Sequence, residues 1–561
     1  MLPLFFRRKP AVAPAPPVQA HATVDIVAID RALSTGALDD AAARIAALPV
    51  QAYEAAPAHS LAGRLHHAHG REHAAVECFE TALALDARDL WALCMLASSR
   101  KEAGDFAGAA DLFERAMAVA PEVPGLRYNC ASALQEAGRL DAARGHIARL
   151  HAQEPASHLV HLLQARMHEL RGEPHIAQPI YRRVAESHPA ALGAWTGLGR
   201  IARDQGEFAA AEAAFAHALA LEPGADFALD VGLAQAHQHR HDHALSTLGP
   251  LFAARPGNAM VRAAIGNVRL AQGDFARGWA DYEARFDIAG YAWPAAVAHA
   301  WTGRHLLGGT LVVDAEQGFG DSILAARFLR LARARAARVV FRCQAPLVTL
   351  MQASGVADQV VRLDQGVNGD AHCRLLSLPH LLKLESLPAV TMPYLKPSAD
   401  AVRRWAGRLA GPGIAVGLVW SGLASATQNR YRMFDPARLA RVLGGRARLF
   451  GLQLPGDGVA ACPPGVTDVS AELRDFGETA AVLGEIDILI SAETAVAHLG
   501  GALGVRTWIP MPMTADWRWR IGAVESPWYP DVRLFRQTRP MQWDDVFASI
   551  GAALDEHRGG G

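Results

Sequence analysis

Small and apolar residues recur along the first half of the chain at an interval of 34 residues. The interval is kept by glycines, prolines, alanines and aromatic residues: Gly36, Gly70, Gly104, Gly138, Gly172 and Gly206; Pro121, Pro155, Pro189 and Pro223; Ala75, Ala109, Ala143, Ala177 and Ala211; and Phe79, Phe113, Tyr181 and Phe215, with Ile147 between. A glycine permits a left-handed turn, alanines let two helices approach closely, and a proline ends a helix. Each unit is therefore predicted to form two helices.

A 34-residue unit of this composition resembles the tetratricopeptide repeat. The resemblance implies an α-solenoid of about eight repeats over residues 22–289, in which stacked units share one core and form a curved groove. Such a groove binds another polypeptide, here a protein acceptor or a chaperone. The seventh unit departs from the pattern, because Arg240 stands where glycine is expected and the register then slips by one residue.

Histidines gather around that irregular turn, at His237, His239, His241 and His243. A metal site needs several imidazoles that converge on one point, whereas alternate residues of a turn point in different directions. We therefore expect a solvated polar turn, with a metal site as the alternative. The same interpretation applies to a second group, His66, His67, His69 and His73.

Composition limits the partners and the compartment. The 561 residues are enough for two to four domains, and 55 basic against 56 acidic residues leave a net charge of −1, which gives no reason to expect nucleic acid or an anionic membrane as partner. The six cysteines are scattered without the close spacing of a zinc or redox motif, so we expect reduced thiols.

At the N-terminus the basic residues follow a short apolar run, unlike a signal peptide, and residues 1–21 are expected to be a flexible tether. With no stretch apolar enough to span a bilayer, the expected location is cytoplasmic.

After Trp301 the pattern changes to that of an open parallel sheet. A buried strand at 311–313 runs into the glycine-rich loop 316–321, a helical pattern at 323–334 and a second strand at 339–341. The same order restarts after Pro412, with strands at 414–420, 447–452, 486–490 and 507–510. We therefore predict two Rossmann-like lobes, a short one at 305–395 and a second at 412–550, that face a cleft where the carboxyl ends of strands bind a ligand.

Four segments of this half carry a further resemblance. The loop 316–323, Glu-Gln-Gly-Phe-Gly-Asp-Ser-Ile, is similar to the first loop of the heptosyltransferase-like glycosyltransferases, glycosyltransferase family nine. The segment 490–503 resembles their second signature, although Glu493 stands where the family usually has aspartate. The segments 516–519 and 526–530 look like those of family members fused to tetratricopeptide repeats.

The resemblance implies a GT-B fold that transfers a sugar from a nucleotide-sugar donor without a metal. It implies no cofactor, since the nucleotide-sugar is a substrate. Members joined to tetratricopeptide repeats look like bacterial protein O-glycosyltransferases, including those that modify flagellin. The expected function is accordingly transfer of a sugar to a serine or threonine of a protein held by the repeats. Two alternatives stay open: a transferase that builds lipopolysaccharide or capsule, and a non-catalytic scaffold whose transferase domain is degenerate.

By this resemblance Asp321 is the candidate general base, and Gly318 and Gly320 let substrate approach it. The alternative for Asp321 is a helix cap, which could coexist with catalysis. The helix that begins near Glu493 offers free N–H groups to a donor phosphate, with the Thr494 hydroxyl beside them and His498 one turn further along. The carboxylate of Glu493 would hold sugar hydroxyls rather than phosphate, and His498 could instead be a core histidine.

Further donor contacts are expected after the strands of the second lobe. Arg430 and Arg432 could balance the charge of the leaving phosphate, or could be solvated loop residues. Ser421 follows a predicted strand, and Gln453, with Asp475, Phe476 and Thr479, could contact the base or ribose. Trp517, Trp519 and Trp528 are expected to pack in the core rather than to form a stacking platform.

Overall fold

The computed structural model describes residues 23–224, 226–288, 300–422, 429–456, 458–514, 516–520 and 523–559. The predicted tether at 1–21 lies outside these residues. The chain divides into two compact units, the first ending at Ile201 and the second beginning at Ala202. The second unit therefore contains the last repeats together with both parallel sheets.

Paired helices follow one another throughout the repeat region, as the 34-residue pattern predicts. They are α1 Thr23–Thr35, α2 Leu38–Ala46, α3 Ala56–Ala68, α4 Glu72–Leu85, α5 Leu90–Glu102, α6 Phe106–Val119, α7 Pro124–Glu136, α8 Leu140–Gln153, α9 His158–Leu170, α10 Pro174–Ser187, α11 Leu192–Asp204, α12 Phe208–Leu221, α13 Phe227–His237, α14 His241–Ala254, α15 Ala259–Gln272 and α16 Phe275–Tyr282. Short 3₁₀ helices lie at Val50–Glu54 and Glu283–Asp287.

The glycines of the 34-residue grid have the backbone conformation expected of them. Gly36, Gly70, Gly104, Gly138, Gly172, Gly206 and Gly273 all have φ between +70° and +84°. In the seventh repeat the left-handed residue is His239, at φ +65°, and not Arg240 as the unbroken interval would require. Because Gly273 lies 34 residues after His239, the slip falls between Gly206 and His239.

Aromatic residues fill the space between the paired helices. Phe79 and Tyr181 are almost fully buried. A β-carbon at Gly63 would lie 2.8 Å from the Phe79 ring, and one at Gly197 would lie 2.4 Å from the Tyr181 ring. The aromatic and glycine positions thus match one another across the pair, as the repeat pattern indicates.

The turn around His239 is not the solvated turn that the sequence suggests. The His237 ring packs on Phe208 with 4.6 Å between ring centroids, and burial lowers the pKa of His237 to about 4. Burial also lowers the pKa of His239, beside Arg536, and that of His241, while His243 is exposed. Within the described residues these histidines form no group with converging ligand atoms, so the structure gives the metal alternative no support. The reason for the difference is that the turn packs against the C-terminal region.

Among the described residues of the second unit, ten parallel strands form two sheets. They are β1 Leu306–Asp314, β2 Ala336–Cys343, β3 Gln359–Arg362, β4 Ala371–Arg374, β5 Ala415–Val419, β6 Arg448–Gly451, β7 Thr467–Asp468, β8 Ile488–Ser491, β9 Thr507–Met511 and β10 Val532–Arg536. The strand order is β3-β2-β1-β4 in the first sheet and β10-β9-β8-β5-β6-β7 in the second. The order reverses between β1 and β4 and between β5 and β8, so each sheet has a crevice at the carboxyl ends of those strands.

The helices of this region connect the strands. They are α17 Phe319–Ala325, α18 Leu329–Arg333, α19 Val348–Ser354, α20 Leu378–Leu381, α21 Ala399–Trp405, α22 Asn429–Arg432, α23 Pro436–Leu443, α24 Phe476–Leu483, α25 Ala495–Leu503 and α26 Asp544–Gly559. The predicted helix at 323–334 is broken by a 3₁₀ turn, Ala326–Phe328. Helix α21 lies in the interval between the two predicted lobes.

The last repeat shares its core with the sheet region. Trp279 packs edge-on against Trp517, with 5.2 Å between ring centroids, and Phe275 against Trp528 at 6.3 Å. The Tyr431 hydroxyl donates a hydrogen bond of 2.9 Å to the carbonyl oxygen of Arg203. These contacts explain why the compact unit starts within the repeats and not at the end of the solenoid.

Candidate active site

The loop after β1 lies at the switch point of the first sheet. Glu316 is buried, and both of its carboxylate oxygens accept hydrogen bonds of 2.9 Å from Arg285. The next residue, Gln317, has φ +59°, a conformation that is strained for a residue with a side chain. Its side chain is held by two hydrogen bonds with the hydroxyl of Tyr282, at 2.9 and 3.2 Å. The last repeat therefore fixes the loop that leads to Asp321.

This loop lies directly on helix α25, which starts at the switch point of the second sheet. A β-carbon at Gly320 would lie 2.9 Å from the His498 ring and 3.5 Å from the α-carbon of Ala495. Beside this contact, Phe319 packs on Phe476 with 5.2 Å between ring centroids. The loop that carries Asp321 thus contacts the helix that follows Glu493.

Asp321 was interpreted from sequence as a general base or as a helix cap, and its two carboxylate oxygens have different partners. One carboxylate oxygen accepts a hydrogen bond of 3.0 Å from the backbone N–H of Gly318, which caps helix α17. The other is paired with Arg518, whose other nitrogen contacts Asp516 at 2.6 Å. Capping is therefore present. Arg518 joins Asp321 to the partly buried Asp516; although desolvation raises the pKa of Asp516, Arg518 holds it below its usual value.

Glu493 is buried, and each of its carboxylate oxygens contacts one neighbour. Its carboxylate contacts the guanidinium of Arg432 at 3.2 Å and accepts a hydrogen bond of 3.0 Å from the indole N–H of Trp519. Burial raises the pKa of Glu493, and the Arg432 charge opposes that rise. Arg432 is thus oriented towards the candidate site and is not a solvated loop residue, while the side chain of Arg430 lies outside the described part of the chain.

Helix α25 begins at Ala495, with Thr494 as its N-cap. The Thr494 hydroxyl accepts a hydrogen bond of 3.2 Å from the backbone N–H of Val496 and lies 3.1 Å from the Ser491 hydroxyl. The helix N-terminus therefore faces the loop of Asp321, where its dipole favours an anion.

His498 has the surroundings of a core histidine. Its ring stacks on Trp519 at 4.8 Å, and its Nδ1 is 3.1 Å from the hydroxyl of Tyr529. Burial, with help from the Arg518 charge, lowers the pKa of His498 to about 3. The side chain is neutral at neutral pH, so it supports the Gly320 contact without adding a positive charge.

The other residues that were predicted to contact the nucleotide-sugar form hydrogen bonds with the backbone. The Gln453 side chain accepts hydrogen bonds from the backbone N–H groups of Trp420 and Ser421, at 3.1 and 2.8 Å. Asp475 caps helix α24 through the backbone N–H of Glu478 at 2.9 Å, and Thr479 donates to the backbone of Asp475 at 3.2 Å. Ser421 is buried at the end of β5. These residues shape the carboxyl edge of the second sheet.

Sequence reasoning assigned no role to Arg518, Asp516 or Gln317. The signal for the first two was the alternation of charged residues with tryptophans at 516–519. The tryptophans themselves are buried as predicted: Trp517, Trp519 and Trp528 are 6%, 0% and 3% exposed. A groove of about 620 Å³ lies elsewhere, at the outer edge of the first sheet, lined by β3 and by side chains such as Gln352 and Asp358.

Comparison with known proteins identifies tetratricopeptide repeats in the N-terminal region. Models of the tetratricopeptide repeat match residues 56–89, 101–167, 162–226 and 196–259. Protein FlbA of Caulobacter vibrioides is 28% identical over 528 residues, which cover 82% of this chain and 83% of FlbA. Because that share exceeds the repeat region, the match includes part of the sheet region too.

Two solved structures are similar over the helices. A tetratricopeptide repeat protein from Parabacteroides merdae is 16% identical, covering 43% of this chain and 96% of its own, with a TM-score of 0.37. A repeat protein from Thermus thermophilus is 20% identical, covering 32% and 99%, with a TM-score of 0.30. Of the helices in the described ranges, none has the length and apolar character needed to cross a bilayer. The N-terminal region of this chain consists of tetratricopeptide repeats, which support a protein-binding scaffold.

Proposed function

We propose that this protein is a cytoplasmic protein glycosyltransferase of the GT-B type. The repeats hold a protein acceptor, flagellin being the first to test, and the sheet region moves a sugar from a nucleotide-sugar to a serine or threonine hydroxyl. The observation that supports the proposal is the close approach of Gly320, the residue before Asp321, to Ala495 and His498 in the first turn of helix α25. In open α/β sheets, ligands bind at such switch points.

In the proposed reaction, each side chain of the site has one role. The acceptor hydroxyl gives its proton to the Asp321 carboxylate as its oxygen bonds to the anomeric carbon, and the carbon–oxygen bond to the nucleotide phosphate breaks with its electron pair on the phosphate. The N–H groups at the start of α25 and the Arg432 guanidinium stabilise that phosphate. Glu493 holds sugar hydroxyls. Arg518 neutralises Asp321 before the donor binds, since the two side chains form an ion pair.

Nucleotide titration tests the binding half of the proposal. Calorimetry with UDP, GDP, CMP and ADP should show binding of one of them, and Arg432→Gln should weaken that binding by about tenfold or more because a charge-assisted contact to phosphate is lost. Arg362→Gln, at the exposed end of β3, is the matched control and should bind as the unaltered protein does.

One observation favours the scaffold alternative. Both candidate carboxylates are already paired, Asp321 with Arg518 and Glu493 with Arg432, so a donor must displace existing contacts. If none of the four nucleotides binds, the scaffold is the better account, and the sheet region then serves to support the repeats.

A further inference from the structure

Three side chains of the first unit converge between neighbouring repeats. Glu114 of α6, Cys130 of α7 and His146 of α8 place one carboxylate oxygen, the thiol sulfur and one ring nitrogen within 4.8 Å of one another. Cys130 is fully buried, and the other two are partly buried. These three atom types are the ones that zinc prefers, and three protein ligands with a water molecule complete its tetrahedral shell.

The repeat pattern does not require these residue types. The positions that correspond to His146 in the flanking repeats hold Leu112 and Ile180, and the one before Cys130 holds Leu96. Packing alone would therefore be satisfied by leucine at either place. The histidine needs a separate explanation, because its Nδ1 is buried and has no hydrogen-bond partner among the described residues.

From this geometry we infer that Glu114, Cys130 and His146 bind a divalent transition-metal ion, zinc being the best match. The site is independent of the proposed sugar transfer. Arg139 contacts Glu114 at 3.3 Å but is held more closely by Asp111, at 2.7 Å, so its charge stays paired when Glu114 turns to the metal. The ion would join α6, α7 and α8 and stiffen two adjacent repeats.

Protonation of the ligands makes the affinity dependent on pH. Burial raises the pKa of Cys130 to about 12; Glu114 and Asp111 add to this rise, while Arg139 and Arg127 oppose it. Burial and Arg127 lower the pKa of His146, with Arg149 acting in the same direction and Glu114 against it. A metal ion binds the thiolate and the neutral imidazole, so its binding releases the thiol proton.

Cobalt titration of the full chain tests the inference. After treatment with a chelator, the protein should bind one Co²⁺ with a thiolate-to-cobalt charge-transfer band, and Zn²⁺ should displace it with an apparent Kd below about 1 µM at pH 7.5. Cys130→Ser should abolish the band, and His146→Leu should weaken binding by about 100-fold. Cys94→Ser, a buried thiol outside the cluster, is the control and should keep the band.

The His146→Leu variant is expected to fold normally, so a loss of metal binding in it reports on the ligand. His146→Leu introduces the residue found at the same place one repeat earlier, so it should fold with unchanged helical circular dichroism. Absence of the band in the unaltered protein overturns the inference, and so does a band that survives in both Cys130→Ser and His146→Leu.

Discussion

At the residue scale, the candidate site depends on a contact that only glycine allows. A β-carbon at Gly320 would lie 2.9 Å from the His498 ring. The sequence marked Gly320 and His498 as separate members of two motifs. Their contact could not be predicted, because it depends on how two sheets with no local sequence relation are packed.

Gly320→Ala tests this contact. We expect the free energy of unfolding of the second unit to fall by about 1–3 kcal/mol, because the added methyl group pushes the loop off helix α25. Gly366→Ala is the control, since nothing lies within 4 Å of its added carbon and its φ is not left-handed. Urea unfolding followed by tryptophan fluorescence measures both, and equal midpoints for the two variants would contradict the contact.

The buried neutral histidines predict a loss of stability in acid. The pKa of His498 is about 3 and that of His237 about 4, whereas both titrate near 6.5 in the unfolded chain. The unfolded state therefore binds more protons below pH 6.5, and stability falls as pH drops from 6.5 towards 4, by about 1.4 kcal/mol per pH unit for each histidine. The measurement is the unfolding free energy at a series of pH values, with His498→Gln giving a shallower slope. If the unfolding free energy of His498→Gln and that of the unaltered protein fall with the same slope against pH, His498 is not a buried neutral side chain.

At the scale of elements, local pattern predicted regular structure well and short strands poorly. The turn glycines and the strands β1, β2, β5, β6, β8 and β9 follow from the period and from apolar runs. The strands β3, β4, β7 and β10 were not predicted, because polar or charged residues interrupt the apolar run in each of them and their pairing is decided by the neighbouring strand. In the seventh repeat the turn conformation moved to His239, since the spacing to the next turn was kept.

Two glycines of the first unit should respond in opposite directions to alanine. Gly172 has φ +73°, so Gly172→Ala should cost about 1 kcal/mol or more of folding free energy. Gly145 lies inside helix α8 with open space around it, so Gly145→Ala should stabilise by about 0.5–1 kcal/mol. Thermal unfolding followed by helical circular dichroism separates them. A Gly172→Ala variant as stable as Gly145→Ala would rule out the left-handed turn.

At the scale of the whole molecule, the last repeats belong with the sheets. The sequence suggested a boundary near residue 289, where the repeat period ends, but the second compact unit begins at Ala202. The cause is an aromatic cluster that includes Trp279, Trp517 and Trp528. Such a long-range cluster leaves no periodic trace in the chain, which is why composition and period could not reveal it.

Trp279→Ala should loosen both sides of that cluster together. The loss of a buried tryptophan costs about 3–5 kcal/mol, so hydrogen exchange at 270–285 and at 516–528 should accelerate in parallel. Exchange at 60–190, in the first unit, should stay unchanged. Mass spectrometry of peptides from the full chain reads out all three regions, and acceleration confined to 270–285 would contradict a shared core.

Sugar transfer itself is the central claim, and the intact mass of flagellin tests it most directly. The comparison uses cells with the unaltered gene, with the gene deleted, with Asp321→Asn, and with Asp364→Asn as a control in an exposed ion pair. The account predicts a flagellin heavier by whole sugar residues with the unaltered gene and with Asp364→Asn, and the bare polypeptide mass in the other two. An identical mass in all four would contradict it.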